Sequence, residues 1–304
     1  MIRIGTRESQ LAVWQAKLVA EMLLQHGFES ELVFIKSDGD IDLVTPLYEI
    51  GVQGIFTKTL DAALLSNKID VAVHSMKDVP TQLATGLAQS AVLARGSHKD
   101  IFVPRSGADF LNDANSVAAI ATSSIRRIAQ WIRRYPNHTI ENLRGNVNTR
   151  LQKVAGSNWQ GGIFAAAGLE RIGLRPENAV DLDWMLPAPA QGAVMIVCKE
   201  DDVFVQEACS LLNDENTALC AKIERDFLRT LFGGCSTPVS ALAQIKNGEL
   251  YFEGNIISLD GKEKVGTERK VSIDNAVGLG ITAANEVLEN GGWEIVENIR
   301  NNGK

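Results

Sequence analysis

Hydrophobic and polar positions change period repeatedly along the 304-residue chain, and each change marks an element. Residues 2–4 form a short apolar strand. Ser9 then stands as the cap of a helix over 10–26, with Leu11, Trp14, Leu18 and Met22 on one face and Gly27 at its end. Residues 31–37 alternate, as a half-buried strand does. Residues 38–54 are polar, glycine-bearing and without a period, which predicts a functional loop. A helix is expected over 56–65 and a buried strand over 69–74. A second set follows: strands over 117–121, 139–143 and 162–166, with a helix opened by Thr122-Ser123-Ser124 and another after Arg144-Gly145-Asn146. Strand and helix in alternation predict a parallel or mixed sheet with helices on both faces. Gln191-Gly192-Ala193 leads into an apolar run over 194–198, which reads as a central strand.

The last stretch has a different rhythm. Helices are expected over 203–213 and 216–231, then alternating strands over 239–246, 249–258 and 263–272, then a helix over 274–290. A strand meander with one long helix predicts a small α+β domain.

Composition narrows the class. Hydrophobic residues make up 45% and charged residues 22%, which supplies real cores and excludes disorder as the main state. No apolar run is long enough to span a bilayer, and the first residues carry no apolar signal region, so the expected location is the cytoplasm. Cys198, Cys209, Cys220 and Cys235 form no Cys-x-x-Cys pair and share no ligand spacing with the histidines, so no metal site is expected.

The net charge of −7 argues against nucleic-acid binding, but the charge is uneven. Residues 117–175 hold eight arginines and Lys153 against Glu141 and Glu170, a local charge of +7; the rest of the chain sums to −14. A solvated basic face is one reading. The other is an anion site, favoured because the residues are arginines, whose planar fork suits carboxylate or phosphate. An internal echo points the same way. Gly5-Thr6-Arg7-Glu8-Ser9 and Ala121-Thr122-Ser123-Ser124 each join a strand to a helix, with arginines nearby. Serine and threonine there could simply cap helices; repeated on two lobes, the arrangement is that of an anion-binding cleft at strand ends.

Two further segments carry candidate chemistry. His74-Ser75-Met76-Lys77-Asp78-Val79-Pro80 brings polar groups and a carboxylate to the end of a buried strand. Asp78 reads equally as a turn-former or as an acid, base or counter-ion. Gly233-Gly234-Cys235 puts a thiol on a tight turn, and the other cysteines lie in apolar patterns, so Cys235 is the candidate for covalent chemistry.

Together these motifs resemble the porphobilinogen deaminase family across nearly the whole chain. The resemblance runs through Gly5-Thr6-Arg7-Glu8-Ser9, Trp14-Gln15, the segment from His74 to Pro80, Thr122-Ser123-Ser124-Ile125-Arg126-Arg127, Leu143-Arg144-Gly145-Asn146-Val147-Asn148-Thr149-Arg150, Gln191-Gly192-Ala193 and Gly233-Gly234-Cys235. It implies an α/β fold of two periplasmic-binding-protein-like α/β lobes plus a smaller C-terminal α+β domain that carries the cysteine. The expected division is residues 1–95 with 192–213, then 100–187, then 216–304.

The resemblance implies head-to-tail condensation of four porphobilinogen molecules into hydroxymethylbilane, with release of four ammonia. It implies a dipyrromethane cofactor bound to Cys235 through a thioether, and Asp78 as the catalytic carboxylate that stabilises the cationic azafulvene. Cofactor contacts are expected from Ser75, Lys77, Asp78, Thr122, Ser123, Arg126, Arg127, Arg144 and Gly145. Substrate contacts are expected from Arg7, Ser9, Gln15, Arg144, Arg150, Arg171, Gln191 and Gly192. A flexible lid is expected from Asp38 to Gly54 and on to Lys58; Gln53 stands within it where the family often has lysine. A monomer that hands its product to uroporphyrinogen III synthase completes the picture, with no membrane and no nucleic acid. Two other classes fit the sequence less well. A two-lobed solute binder leaves the third domain and Cys235 unexplained. A nucleotide enzyme lacks the phosphate-loop pattern.

Overall fold

A computed structural model describes residues 1–36, 57–232 and 237–302. Three sheets organise them. The first has the order β2-β1-β3-β10-β4, from β1 (Ile2–Thr6), β2 (Ser30–Phe34), β3 (Val71–Ser75), β4 (Leu87–Val92) and β10 (Val194–Lys199). The second has the order β7-β6-β8-β5-β9, from β5 (Asp100–Pro104), β6 (Ala119–Ala121), β7 (Thr139–Glu141), β8 (Gly161–Ala165) and β9 (Val180–Asp181).

The two sheets share one plan. β2-β1-β3 and β7-β6-β8 are parallel, and each trio is continued by an antiparallel strand, β10 or β5. Both of those strands follow directly on a crossing between lobes. Each lobe is therefore a mixed α/β sheet with separate apolar cores on its two faces. The C-terminal ends of the parallel strands face the cleft, where open α/β sheets place ligands.

Helices cover the sheets. In the first lobe these are α1 (Gln10–Gln25), α2 (Lys58–Leu65) and α6 (Val203–Ser210). In the second they are α3 (Ile125–Arg134), α4 (Val147–Gly156) and α5 (Ala166–Glu170). The face of α1 differs from the expected one. The buried stripe is Ala12, Gln15, Ala16, Val19 and Leu23, while Leu11, Trp14, Leu18 and Met22 are only half-buried beside it. Small side chains let α1 lie close to the sheet, and Trp14 turns toward Arg171, whose guanidinium carbon is 5.7 Å from its ring.

The third sheet is the antiparallel meander β11 (Val239–Lys246), β12 (Glu249–Ile257) and β13 (Lys264–Ser272). α7 (Glu215–Thr230), α8 (Leu279–Val287) and α9 (Trp293–Asn302) accompany it. The helix expected over 274–290 begins only at Leu279, after the left-handed Gly278. A kink at Asn290 and Gly291 then redirects the chain into α9, a helix the sequence reading did not anticipate.

α7 belongs to two cores at once. Cys220, Ile223 and Phe227 pack in the third domain, whereas Ala218 and Ala221 pack against the first lobe. Beside them Glu224 is fully buried. It pairs with Arg95 at 2.6 Å and accepts hydrogen bonds from the Ala190 and Ala243 amides. Among the described residues no helix is long and apolar enough to cross a membrane.

Candidate active site

The cleft between the lobes has about 380 Å³ of interior volume. Most of the functional side chains reach it from segments that follow the ends of strands. β1 leads to Arg7 and Ser9, β3 to Ser75, Lys77 and Asp78, β6 to Thr122, Ser123, Arg126 and Arg127, and β7 to Arg144 and Gly145. Arg150 stands on α4 and Arg171 just beyond α5, while Gln191 and Gly192 come from the crossing segment. All of these line the cleft. Gln15 does not line it directly; it is buried and donates to the Ser75 hydroxyl at 3.0 Å. Lys58 is an exposed residue on the first turn of α2 and is not among the lining residues. Asp38, Gln53, Gly54 and Cys235 lie outside the described residues.

The arginines are not equivalent. Arg126 and Arg127 are buried and both meet Asp100, the first residue of β5, which is fully buried. Arg127 uses its whole fork: Nε and Nη2 donate to Asp100 at 3.0 and 2.7 Å, and Nη1 donates to the Ile163 carbonyl at 2.9 Å. Arg126 Nη1 lies 2.8 Å from Asp100 and also donates to the Leu186 carbonyl at 2.8 Å. Its Nε is buried without a hydrogen-bond partner. Burial alone would raise the Asp100 carboxyl; the two guanidinium groups outweigh it and hold the group well below the usual carboxylate range.

Asp100 was not anticipated from the sequence. The available signal was a lone carboxylate heading the apolar run Asp100-Ile101-Phe102-Val103 in a lobe with a large cationic excess. Such a residue needs a buried cation.

A polar relay crosses the cleft floor. Gln191 donates to Asp100 at 3.0 Å and to the His98 carbonyl at 2.8 Å, and accepts from Lys77 Nζ at 3.2 Å. One amide thus ties first-lobe Lys77 to second-lobe Asp100. Gly192 follows in the left-handed region at φ +88°, and a Cβ there would fall 2.6 Å from the Ser97 carbonyl oxygen, so the crossing strands can approach only over glycine. Burial, then Arg127, pushes Lys77 down to about 8. Arg150 is pushed down to about 10 by burial and by Arg127, and burial lowers Arg171. Arg171 donates to the Gly192 carbonyl at 2.7 Å, and Arg150 Nε to the Gly145 carbonyl at 2.7 Å.

The lining therefore carries Arg7, Lys77, Arg126, Arg127, Arg144, Arg150 and Arg171 against Asp78 as the one lining carboxylate among the described residues. Asp78 is exposed to the cleft at the end of the short turn Met76–Asp78. Such a lining suits a polycarboxylate that presents a positive centre to Asp78.

Family comparison agrees with this chemistry. Residues 2–207 match the porphobilinogen deaminase dipyrromethane cofactor binding domain, and residues 218–289 match the C-terminal domain of the same family. The chain belongs to the porphobilinogen deaminase family. It is a transferase of tetrapyrrole synthesis, and its cofactor is dipyrromethane. The cleft fits that group: its cationic excess answers carboxylates, and the buried Arg126 Nε still has a hydrogen to donate.

Solved structures that match the chain in part include a nutrient binding protein from Burkholderia cenocepacia bound to methionine. It is 13% identical, with a TM-score of 0.44, over 77% of this chain and 98% of that one. A periplasmic substrate-binding protein of an ABC transporter from Coxiella burnetii matches at 12% identity and a TM-score of 0.44, over 74% and 97%. The periplasmic domain of Bordetella pertussis BvgS matches at 14% and 0.38, over 69% of this chain but 39% of that one.

Proposed function

We propose that the chain is a hydroxymethylbilane synthase, which joins four porphobilinogen molecules head to tail and releases four ammonia. The observation that carries the reading is the cation-lined cleft with one lining carboxylate, Asp78, among the described residues. The division into residues 1–95 with 192–213, 100–187 and 216–304 is proposed with it, and the three separate sheets support it.

In this reading the arginines bind the acetate and propionate groups of successive pyrrole units. Arg126, Arg127, Arg144 and Lys77 hold the cofactor, with Ser75, Thr122, Ser123 and Gly145 in support. Arg7, Ser9, Arg150, Arg171, Gln191 and Gly192 meet the incoming substrate. Gln15 acts through Ser75. The bound dipyrromethane, joined to Cys235, supplies a nucleophilic pyrrole carbon and a tether that keeps the growing chain in place.

Asp78 faces the aminomethyl carbon of porphobilinogen. Breaking its C–N bond releases ammonia and leaves a delocalised cation, which the carboxylate stabilises. Once the new C–C bond has formed, the same carboxylate would assist removal of the proton from the pyrrole carbon that made the attack. Lys77, pushed down to about 8, remains largely protonated at neutral pH and keeps its place beside a ligand carboxylate. The proposal includes cytoplasmic location, a monomeric state and delivery of the product to uroporphyrinogen III synthase.

The test is the intact mass of the denatured protein. An excess of one dipyrromethane over the 33.0 kDa chain, absent in Cys235→Ser, is expected. Porphobilinogen should be consumed with release of ammonia, and Asp78→Ala should keep the cofactor and lose turnover. An unmodified mass after incubation with porphobilinogen, with no tetrapyrrole formed, would overturn the reading in favour of a two-lobed anion binder.

A further inference from the structure

The turn that carries Lys77 and Asp78 is held from outside the cleft. Met76–Asp78 is a single short turn. Its first amide donates to the Ala193 carbonyl at 3.0 Å, and the Val79 amide closes it on the Met76 carbonyl at 3.2 Å. The carbonyls of Met76, Val79 and Pro80 are met from α7. There Arg225 Nη1 donates to Met76 O at 3.2 Å and to Val79 O at 2.9 Å, and Nη2 donates to Pro80 O at 2.5 Å. One guanidinium thus collects the three carbonyl oxygens that fix the path of the chain on both sides of Asp78. A planar fork can do this; a lysine ammonium lacks the spread of donors.

Arg225 is not a lining residue of the cleft. It is half-buried and reaches the turn because of the way α7 is shared. Ala218 and Ala221 stand on the α7 face that packs on the first lobe, and Arg225, four residues beyond Ala221, continues that face. Met76 lies in the same core as Ala221, so the turn and the helix meet across packed side chains. The neighbouring Glu224 locks α7 to Arg95 and to the amides of Ala190 and Ala243. α7 is therefore fixed to the third domain and to the segments that cross between the lobes, and Arg225 passes that placement to the turn.

We infer that Arg225 is a positioning residue for the reaction: through the carbonyls of Met76, Val79 and Pro80 it sets where Asp78 and Lys77 stand in the cleft. It touches no reacting atom. The inference rests on the proposed role of Asp78. Its consequence is that the third domain controls the geometry of a carboxylate carried by the first lobe.

The test compares wild type, Arg225→Gln and Arg225→Lys as full chains loaded with cofactor. Intact mass should show the cofactor in all three, and KM for porphobilinogen should stay within about twofold of wild type. In Arg225→Gln, kcat should fall about 10–100-fold, the cost of displacing a reacting group by about an ångström. Arg225→Lys should lie between that variant and wild type. Hydrogen exchange of the Lys77–Val79 amides should accelerate in the same order, while the amides of β1 and α7 keep their protection. Wild-type kcat in Arg225→Gln overturns the inference, as does unchanged exchange at the turn. A loss of kcat matched by loss of cofactor, or by loss of protection throughout both domains, also overturns it, because the role would then be merely structural. The wild-type assay reports separately on the functional reading. No porphobilinogen turnover there overturns that reading, whereas turnover by the wild type with an unaffected Arg225→Gln removes only the role of Arg225.

Discussion

The two lobes hold equivalent strand-to-helix turns and furnish them differently. β1 and β6 occupy the same place in their sheets, and each delivers its chain to a helix at the cleft. In the first lobe, half-buried Arg7 precedes the helix and Ser9 caps it, accepting from the Ala12 amide at 3.4 Å. In the second, Arg126 and Arg127 lie within the first turn of α3 itself, buried at the cleft wall. Two cations at a helix N-terminus oppose the macrodipole. Asp100, brought alongside on β5, offsets that cost and fixes both side chains. The shared topology thus supports one open anion subsite and one preorganised around an internal carboxylate. In the proposed assignment the fixed subsite belongs to the permanent cofactor, and the open one to a substrate that is replaced at each addition.

Removing the internal carboxylate should have the largest effect on this contrast. Asp100→Asn leaves two buried guanidinium groups without their counter-ion, which should cost about 3–5 kcal/mol. Asp70→Asn in the first lobe removes the ion pair of Asp70 with Arg3, whose side chains are 20% and 37% exposed, so it should cost at most about 1 kcal/mol. Urea midpoints of the two variants measure the difference; equal shifts would abolish the contrast. The pH dependence has a definite sign. The folded pKa of Asp100 lies below its unfolded value, so its contribution is complete above the ordinary carboxylate pKa and is lost as pH falls through about 4 and below.

The first lobe has its own buried titratable group, and it sits near a like charge instead of a counter-ion. His74 on β3 is buried, its Nε2 makes no hydrogen bond, and burial together with Arg7 pushes it down to about 4. Because the folded pKa lies below the unfolded value, stability is untouched above about 6.5 and declines as pH falls from there toward 4, by about 3 kcal/mol at most. Unfolding curves measured across that interval should be flatter in His74→Gln by up to one proton. An unchanged slope would place a partner beside His74 and weaken the comparison.

Much of this could be read from the chain alone, because the informative signals are local. Apolar runs followed by Gly5-Thr6-Arg7, Ser75-Met76-Lys77-Asp78 and Thr122-Ser123-Ser124 mark strand ends, and the parallel trios carry those ends to one cleft. What stayed hidden depends on distance along the chain. Asp100 meets Arg127 across 27 residues, and Arg225 meets Pro80 across 145. No periodicity links such positions. The face of α1 departs from the sequence expectation for a related reason: large apolar side chains suggest a core stripe, whereas close packing on the sheet selected the alanines and buried Gln15 to reach Ser75. The break before α8 and the kink before α9 hinge on Gly278 and Gly291, two left-handed residues that the helical pattern alone passed over.

The smallest expected effect separates capping from ligand binding at the two turns. Hydroxyl residues precede both helices, and from the sequence each could be a cap. Ser9 does cap α1, although at 3.4 Å its bond is long, so Ser9→Ala should cost about 0.5–1 kcal/mol. Ser124, at the same place before α3, makes no side-chain cap bond, and its amide instead donates to the Thr122 hydroxyl at 3.3 Å. Ser123 is engaged with Asn142 and accepts from the Leu143 amide at 2.8 Å, which ties the α3 turn to the start of the β7–α4 turn. Ser124→Ala should therefore stay within about 0.5 kcal/mol of wild type. Thermal and urea unfolding of the two alanine variants decide the point. A loss at Ser124 equal to that at Ser9 would mean that both turns rest on the same capping bond, and that Asp100, rather than the build of the turn itself, carries the whole difference between the lobes.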